Sequence, residues 1–404
     1  MRVTQSMLTR SNLNYISNNY ERFATIQDQI NSGKKITRPS QDPVVAMKGM
    51  RYRSEVVEVE QFKRNLGEAF SWMDQADAAL DETTQVLHRI KELTVQASNE
   101  TYTPDQRADV AKEIRELQGH LEALANTKVS NKYIFNGTDI NRKPVDIKNI
   151  GKSMADLTEG TASEYVVHYQ GKQFTFDSSN SSTPVTTPIE NGTQEETTTT
   201  YIFKNGEEVI SLKYTKNVKN TTGTEGDPVT ETTFGEAVSY KKSASSSEKT
   251  LTNDDIAISK KNAIAVNQED FDIEVMKGIK IDVNIDPQNV FSAEMFKDVS
   301  NLIKALEEPS NDATDINKFL DKIEKHFDHV TAERADLGAR YNRVELIEQR
   351  LAQQKVIATK TMSDNEDIDF EKAIIDLTTQ ESLHRVALAA GARIIQPTLM
   401  DFLR

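Results

Sequence analysis

Two apolar ladders, one toward each end of the chain, limit what this sequence can fold into more than any other feature. The first steps 3 and 4 residues through Val59, Phe62, Leu66, Ala69, Met73, Ala76, Leu80, Thr83, Leu87, Ile90, Thr94 and Ala97. The second runs through Ile316, Leu320, Ile323, Phe327, Val330, Arg334, Leu337, Tyr341 and Val344, with Leu351 and Ala358 continuing its phase. A period of 3.5 residues puts these side chains on one narrow seam of a long helix, which other helices must cover. At a rise of 1.5 Å per residue each helix is roughly 60 Å long, more extended than a compact enzyme requires. Two such helices, far apart in sequence, predict an antiparallel pair of rods built from both chain ends. That suits a building block better than a catalyst.

Composition narrows the partners. A chain of 404 residues with 37% hydrophobic content can fold as more than one domain around a substantial core. A net charge of −14 argues against nucleic acid or an anionic membrane surface as partner. No apolar run approaches the ~18 residues of a membrane span. The opening Met1-Arg2-Val3-Thr4-Gln5-Ser6 lacks the charged-then-apolar layout of a cleaved signal peptide, so export is expected to leave it uncut. With no cysteine there is no disulfide, thiol nucleophile or thiolate metal site.

The fold class expected is mainly α with a β insert. Residues 5–33 read as a first helix with Leu13, Ile16, Tyr20, Phe23 and Ile30 on its seam, stopped at Asn31-Ser32-Gly33, where glycine accepts a left-handed conformation. A basic bend follows, Lys34-Lys35-Ile36-Thr37-Arg38-Pro39-Ser40-Gln41-Asp42-Pro43. Asp42 is read as the cap and Pro43 as the first residue of the helix carrying the Val59 ladder. Thr103-Pro104-Asp105-Gln106 has capping-box spacing and starts a third helix, ending near Asn126. From 141 to 289 the period drops to 2. Tyr165–Tyr169 and Gln173–Phe176 flank a Gly171 turn, and Tyr201–Lys204 and Val209–Leu212 flank Asn205-Gly206, a strong hairpin signal. Half of residues 177–200 are Ser or Thr. Helix returns from Phe291 to Leu306, and after the second rod Ser363-Asp364-Asn365-Glu366 is expected to begin a final helix carrying Phe370, Ile374, Leu388 and Ile395. Three domains follow: 1–40 with 364–404 as a terminal helical domain, 41–140 with 290–363 as a rod domain, and 141–289 as an inserted β-rich domain.

Candidate chemical sites are few. His326, His329 and Glu333 share a helix face and have ligand chemistry for zinc, but Lys322 one turn away opposes a cation, so a partly solvated face is the simpler reading. Lys34, Lys35 and Arg38 lack the glycine-rich loop of a phosphate site and read as a salt-bridging bend. Trp72 reads as packing at the rod surface. Asp254-Asp255 and Glu307-Glu308 lack calcium-loop spacing and read as solvated turns. Triplets such as Asn180-Ser181-Ser182 and Asn220-Thr221-Thr222 are accounted for by chance in a Thr-rich stretch. With no nucleophile elbow, triad context or phosphate loop, no catalytic site, cofactor or metal is expected.

Several segments resemble the bacterial flagellin family. They are the bend Ser32–Pro43, Leu93-Thr94-Val95-Gln96-Ala97-Ser98-Asn99, Leu124-Ala125-Asn126-Thr127, Arg334–Arg340 and Asn342-Arg343. The Asp42-Pro43 junction, Tyr133-Ile134-Phe135-Asn136-Gly137-Thr138 and Leu399–Arg404 are more similar to the family's hook–filament junction type than to filament flagellin; Gln41 departs from the usual Asp. The resemblance covers roughly 1–140 and 290–404 and not the insert. It implies a structural protein exported through the flagellar type III apparatus, self-associating in a ring between a hook-side hook-associated protein and flagellin, with an export chaperone on its C-terminal region. The implied assembly interface is Leu13, Ile16, Tyr20, Phe23, Ile30, Leu388, Ile395, Leu399, Phe402 and Leu403. The alternatives are filament flagellin itself, or an exported adhesin whose β insert binds.

Overall fold

The computed structural model describes residues 5–129, 131–179, 181, 185–189, 194–222, 228–243, 246–265, 271–309 and 313–395. It is mainly helical at both ends with a β-rich middle, as the change of period from 3.5 to 2 and back predicts. The helices are α1 (Gln5–Ser32), α2 (Pro43–Ala97), α3 (Pro104–Ala125), α4 (Met154–Glu159), α5 (Pro287–Val290), α6 (Ala293–Glu307), α7 (Ala313–Glu366) and α8 (Phe370–Ile395). The long pair, α2 and α7, has 55 and 54 residues.

Local chemistry sets these boundaries. Gly33 adopts φ +66°, ending α1. The Asp42 carboxylate accepts from the Val44 and Val45 amides at 2.9 and 3.1 Å, capping α2 at Pro43. Thr103 and Gln106 form the reciprocal capping box of α3. The expected helix start at Ser363 is not found. Ser363 lies inside α7, its hydroxyl donating to Asp367 at 2.5 Å, and the last helix begins at Phe370 with Asp369 accepting from the Lys372 amide at 3.2 Å.

The chain divides into two compact units. Unit 1 comprises Met1–Asn65, Val275–Lys277 and Leu346–Arg404, and unit 2 comprises Leu66–Glu274 and Gly278–Glu345. Within unit 2 the first ladder is buried from Leu66 to Ala97. The second buries every seventh residue, Ile316, Ile323, Val330, Leu337 and Val344, whereas Leu320, Phe327, Arg334 and Tyr341 are half-exposed. Alternate seam positions of α7 are thus unequal, one closed and one at the rim. Antiparallel pairing of α2 with α7 in this unit is marked by Lys91 Nζ to Glu324 at 2.8 Å, Arg334 to Asp77 and Asp81, and a Phe70–Tyr341 ring contact at 5.1 Å. Trp72 is buried, its ring 5.1 Å from that of Phe271, so it is a core residue rather than surface packing.

The strands are β1 (Lys128–Val129), β2 (Lys132–Tyr133), β3 (Tyr165–Tyr169), β4 (Lys172–Phe176), β5 (Val185–Ile189), β6 (Gln194–Asn205), β7 (Glu208–Thr222), β8 (Pro228–Lys241), β9 (Lys249–Leu251), β10 (Ala257–Lys260), β11 (Asp272–Met276) and β12 (Ile279–Asp282). An antiparallel sheet runs in the order β10-β3-β4-β6-β7-β8-β9, with β5 paired to β6; β1–β2 and β11–β12 form two small separate sheets. The β3–β4 turn is Gln170-Gly171, both at positive φ. In the next hairpin Asn205 pairs with Glu208, so the turn is Gly206-Glu207, one residue later than the Asn-Gly signal suggests. Asn205 instead donates to the Gln173 carbonyl at 3.0 Å. Met154, Leu157, Val167, Phe174, Phe203, Ile210 and Leu212 make the core of this sheet.

The insert is anchored by residues the sequence singles out. Val145 bridges Ile264, bringing its entry and exit together. Asn126 brackets Val145, its side chain accepting from the Val145 amide at 3.1 Å and donating to the carbonyl at 3.0 Å. Phe135 packs edge-on to Phe291 at 5.2 Å, the Gly137 amide donates to Asn284 Oδ1 at 3.1 Å, and Arg340 reaches Asp282 and the Asn284 carbonyl at 2.6 and 2.9 Å. These motifs are structural.

Candidate assembly surface

Unit 1 is built on α1 against α8, joined by a charged bend. The Lys35 amide donates to the Glu366 carbonyl at 2.7 Å and the Ile368 amide to the Gly33 carbonyl at 3.0 Å, so the α1–α2 and α7–α8 connections pair as short extended segments. Lys34 Nζ lies 2.6 Å from Asp367 and 3.5 Å from Glu366, and Lys35 Nζ donates to the Asp364 carbonyl at 2.5 Å. The hydrogen bond to Asp367 raises the Lys34 pKa, and the same bond holds the Asp367 carboxyl below its ordinary value. Arg53 grips both oxygens of the buried Glu366 at 2.8 Å. Gly49 makes room for this. A Cβ there would stand 2.5 Å from Glu366 Oε1. The basic bend is therefore a salt-bridged joint, with its lysines committed to the chain's own acceptors.

The α1–α8 contact is close at some points. A Cβ on Gly391 would meet Ile16 Cδ1 at 3.4 Å, and the Tyr20 and His384 rings are 5.9 Å apart. Among the expected interface residues, Ile16, Phe23 and Ile30 are half-buried, while Leu13, Tyr20 and Leu388 are 55%, 64% and 48% exposed. Ile395 ends α8 with its side chain outside the described set, and Leu399, Phe402 and Leu403 lie outside the described residues. The same unit exposes further apolar side chains that sequence reasoning missed: Met7, Leu8 and Tyr15 on α1, Val44, Met47 and Met50 on α2, Leu346, Val356 and Ile357 on α7, and Ile375, Leu383 and Val386 on α8. Their signal is apolar residues adjacent to one another, as in Met7-Leu8, Val356-Ile357 and Ile374-Ile375. One helix seam cannot hold two neighbours, so such pairs widen the apolar stripe.

The histidine face resolves differently. His326 Nε2 lies 2.9 Å from Asp298 Oδ2, and Lys322 Nζ lies 2.9 Å from Asp298 Oδ1, so the face is partly solvated as expected, with His326 hydrogen-bonded and His329 exposed. No group of three or more histidine or carboxylate side chains is placed to hold a metal ion among the described residues. Asp254 and Asp255 lie exposed in one short turn, as expected, where the Asp255 carboxylate accepts from the Thr252 amide and hydroxyl at 2.9 and 2.7 Å. None of the described helices is long and apolar enough to cross a membrane.

With this geometry in hand, known proteins supply the context. The chain is similar to flagellar hook-associated protein 3 of Salmonella typhimurium, 26% identical over 147 residues, covering 36% of this chain and 46% of that protein. It is 29% identical to the Escherichia coli protein of that name over 138 residues, covering 34% and 44% of the respective chains. Flagellin of Bacillus subtilis is 28% identical over 142 residues, covering 34% and 46%. The matches thus span less than half the length of these relatives. Flagellar hook associated protein-3 of Legionella pneumophila superposes with a TM-score of 0.41 at 19% identity, over 78% of this chain and 98% of that one. The bacterial flagellin N-terminal helical region matches residues 3–139 and the C-terminal helical region matches residues 320–403. Together these two regions take in more than half of the sequence and both of its helical ends, and the chain belongs to the bacterial flagellin family.

Proposed function

We propose that this chain is a structural, non-catalytic subunit of the bacterial flagellum that joins the hook to the flagellin filament. The observation that carries assembly is the apolar surface of unit 1, where exposed Leu13, Tyr15, Tyr20, Ile375, Val386 and Leu388 crowd onto α1 and α8. Apolar area left in water on this scale marks a surface that other protein covers. In the proposed assembly, residues 1–40 with 364–404 pack into the tube wall, 41–140 with 290–363 form the rod above them, and 141–289 face outward. Copies of the chain self-associate in a ring, touching a hook-associated protein on the hook side and flagellin on the other. The protein reaches its place by secretion through the flagellar export apparatus, with a chaperone holding the C-terminal region until then.

Identity alone does not separate the junction role from filament flagellin, since both relatives match at 26% and 28%. The junction reading rests on the bend Arg38–Pro43, Tyr133–Thr138 and Leu399–Arg404. Deleting the gene decides between them. The junction role predicts intact hooks, no attached filaments and flagellin shed into the medium, restored by the wild-type gene. Bare hooks without shed flagellin would instead identify the filament subunit. Normal filaments would overturn both.

A further inference from the structure

Unit 2 contains a cleft of about 620 Å³ beside the Asp298–His326 pair. Its walls come from the β3–β4 turn, the β9–β10 segment, α5, α6 and one face of α7. The volume is that of a small-molecule site. Most of its charges are already committed. Lys322 is held by Asp298 and by the Asp254 carbonyl at 3.2 Å, His326 is held by Asp298, and Lys297 donates to the carbonyls of Asn253 and Ile256. Lys325 and His329 are not. They stand one turn apart on α7, line the cleft, and form no ion pair or side-chain hydrogen bond with any described residue. Lys249 adds a second ammonium group of the same standing.

Acceptors share the cleft with these cations. Glu294 takes the Gly171 amide at 3.1 Å on one oxygen, leaving the other for a ligand, and Gln170 and Gln288 line the same space. Burial pushes the Glu294 carboxyl above its ordinary range, while His326 and His329 oppose that shift from nearby. The combination is selective. A multiply charged anion such as phosphate would bring a second negative charge beside Glu294 and Asp298. A neutral sugar would leave the Lys325 ammonium without a counter-charge. A single carboxylate carrying several hydroxyls satisfies both sets.

We propose that this cleft binds a small polyhydroxy monocarboxylate of the uronic-acid class, with the carboxylate on Lys325 and His329 and hydroxyls donating to Glu294. The reading is independent of the role assigned to the helical ends. It is tested on the full chain by calorimetric titration with glucuronate, glucose and inorganic phosphate. Glucuronate should bind saturably, at least about tenfold more tightly than either of the others. Lys325→Glu should weaken it about tenfold or more at unchanged melting temperature, while Lys48→Glu on α2 should leave it unchanged. If Lys325→Glu disturbs folding, His329→Leu, which removes the ring N–H donor at the exposed end of the cleft, should report the same loss. No saturation by about 50 mM glucuronate, phosphate binding as tight as glucuronate, or wild-type affinity in both cleft variants would each overturn the proposal.

Discussion

Unit 1 and unit 2 use the same helical spacing and end with opposite surfaces. In unit 2 the ladder from Leu66 to Ala97 is closed, and among the described residues only Val95 and Phe234 are large apolar side chains left strongly exposed there. Unit 1 buries Val59, Val275, Met276, Leu351, Ala358 and Ala373, while α1 and α8 carry Met7, Leu8, Tyr20, Ile374 and Val386 in the open. A 3-4 ladder therefore says that a seam must be covered, and says nothing about whether the cover comes from the same chain. In unit 2 folding meets the cost of ordering from within. In the proposed assembly, part of that compensation in unit 1 comes from neighbouring subunits, which would tie order in α1 and α8 to their arrival.

The largest test of this contrast is truncation of seam residues in each unit. Leu80 is fully buried, and Leu80→Ala should destabilise the monomer by about 2–5 kcal/mol. Leu13→Ala and Leu388→Ala should change monomer unfolding by less than about 0.5 kcal/mol and yet impair filament attachment. Phe327 sits at the rim, so Phe327→Ala should fall between the two. Denaturant unfolding with a motility assay reads both effects. In amide exchange α1 and α8 should be faster than the unit 2 part of α2. Equal losses at Leu13 and Leu80 would erase the distinction between the units.

Next in size is an acid response confined to the sheet. His168 is buried on β3, its Nε2 2.9 Å from Ser259 Oγ, and burial pushes its pKa down to about 4. An unfolded histidine titrates near 6.5, so between these values the unfolded chain binds the extra proton. The resulting stability is complete above about pH 6.5 and is lost as pH falls through about 4, a change of about 3 kcal/mol. Unfolding free energies across pH 7 to 4 should show this slope in the wild type and a shallower one in His168→Gln. Parallel curves would mean that His168 titrates alike in the folded and unfolded chain.

The outcome also shows what the chain discloses on reading. Helix ends were legible where the cap is local: Gly33, Asp42-Pro43 and Thr103 act within three residues of themselves. Ser363 misled because Ser-x-x-Glu spacing resembles a cap even inside a helix, and only the distant pairing of Lys35 with Glu366 fixes where α7 stops. The Asn205-Gly206 turn slipped by one because register is set by the neighbouring strands. The burial of Trp72 and the Asp298 partner of His326 are not legible for the same reason, since Phe271 and Asp298 are remote in sequence. On α1 the exposed Leu13 and Tyr20 lie on the seam that the spacing marks, whereas the width of the exposed stripe is not legible, because period alone does not report coverage.

Two glycines on α2 give a smaller and signed comparison. Gly49, in unit 1, faces Glu366, and Gly49→Ala should cost about 1–3 kcal/mol by forcing that buried carboxylate and its Arg53 and Lys34 partners apart. Gly67, in unit 2, has nothing within 4 Å of an added Cβ. Gly67→Ala should stabilise by about 0.5–1 kcal/mol through helix propensity. Thermal melts of both variants check the sign. Stabilisation at Gly49 would mean the joint is looser than its salt bridges imply.

The smallest effects belong to exposed ion pairs, and they ask whether charge or apolar packing holds α2 to α7. In unit 2, Arg334 Nε lies 2.7 Å from Asp77 and its NH1 2.5 Å from Asp81, and the hydrogen bond to Asp77 raises the arginine's pKa further. In unit 1, Lys355 meets Glu60 at 2.9 Å, where the hydrogen bond lowers the glutamate's pKa. All of these groups remain solvent-accessible, so water and salt screen most of the attraction. Arg334 occupies a seam position and its stem covers apolar surface, so Arg334→Ala combines lost packing with lost charge. That variant should lose at most about 1 kcal/mol, with Arg334→Lys recovering part of it and added salt shrinking the difference. Lys355→Ala should be indistinguishable from wild type. A loss at Arg334 as large as that at Leu80, persisting at high salt, would move the lock between the two long helices from the buried seam to its charged rim.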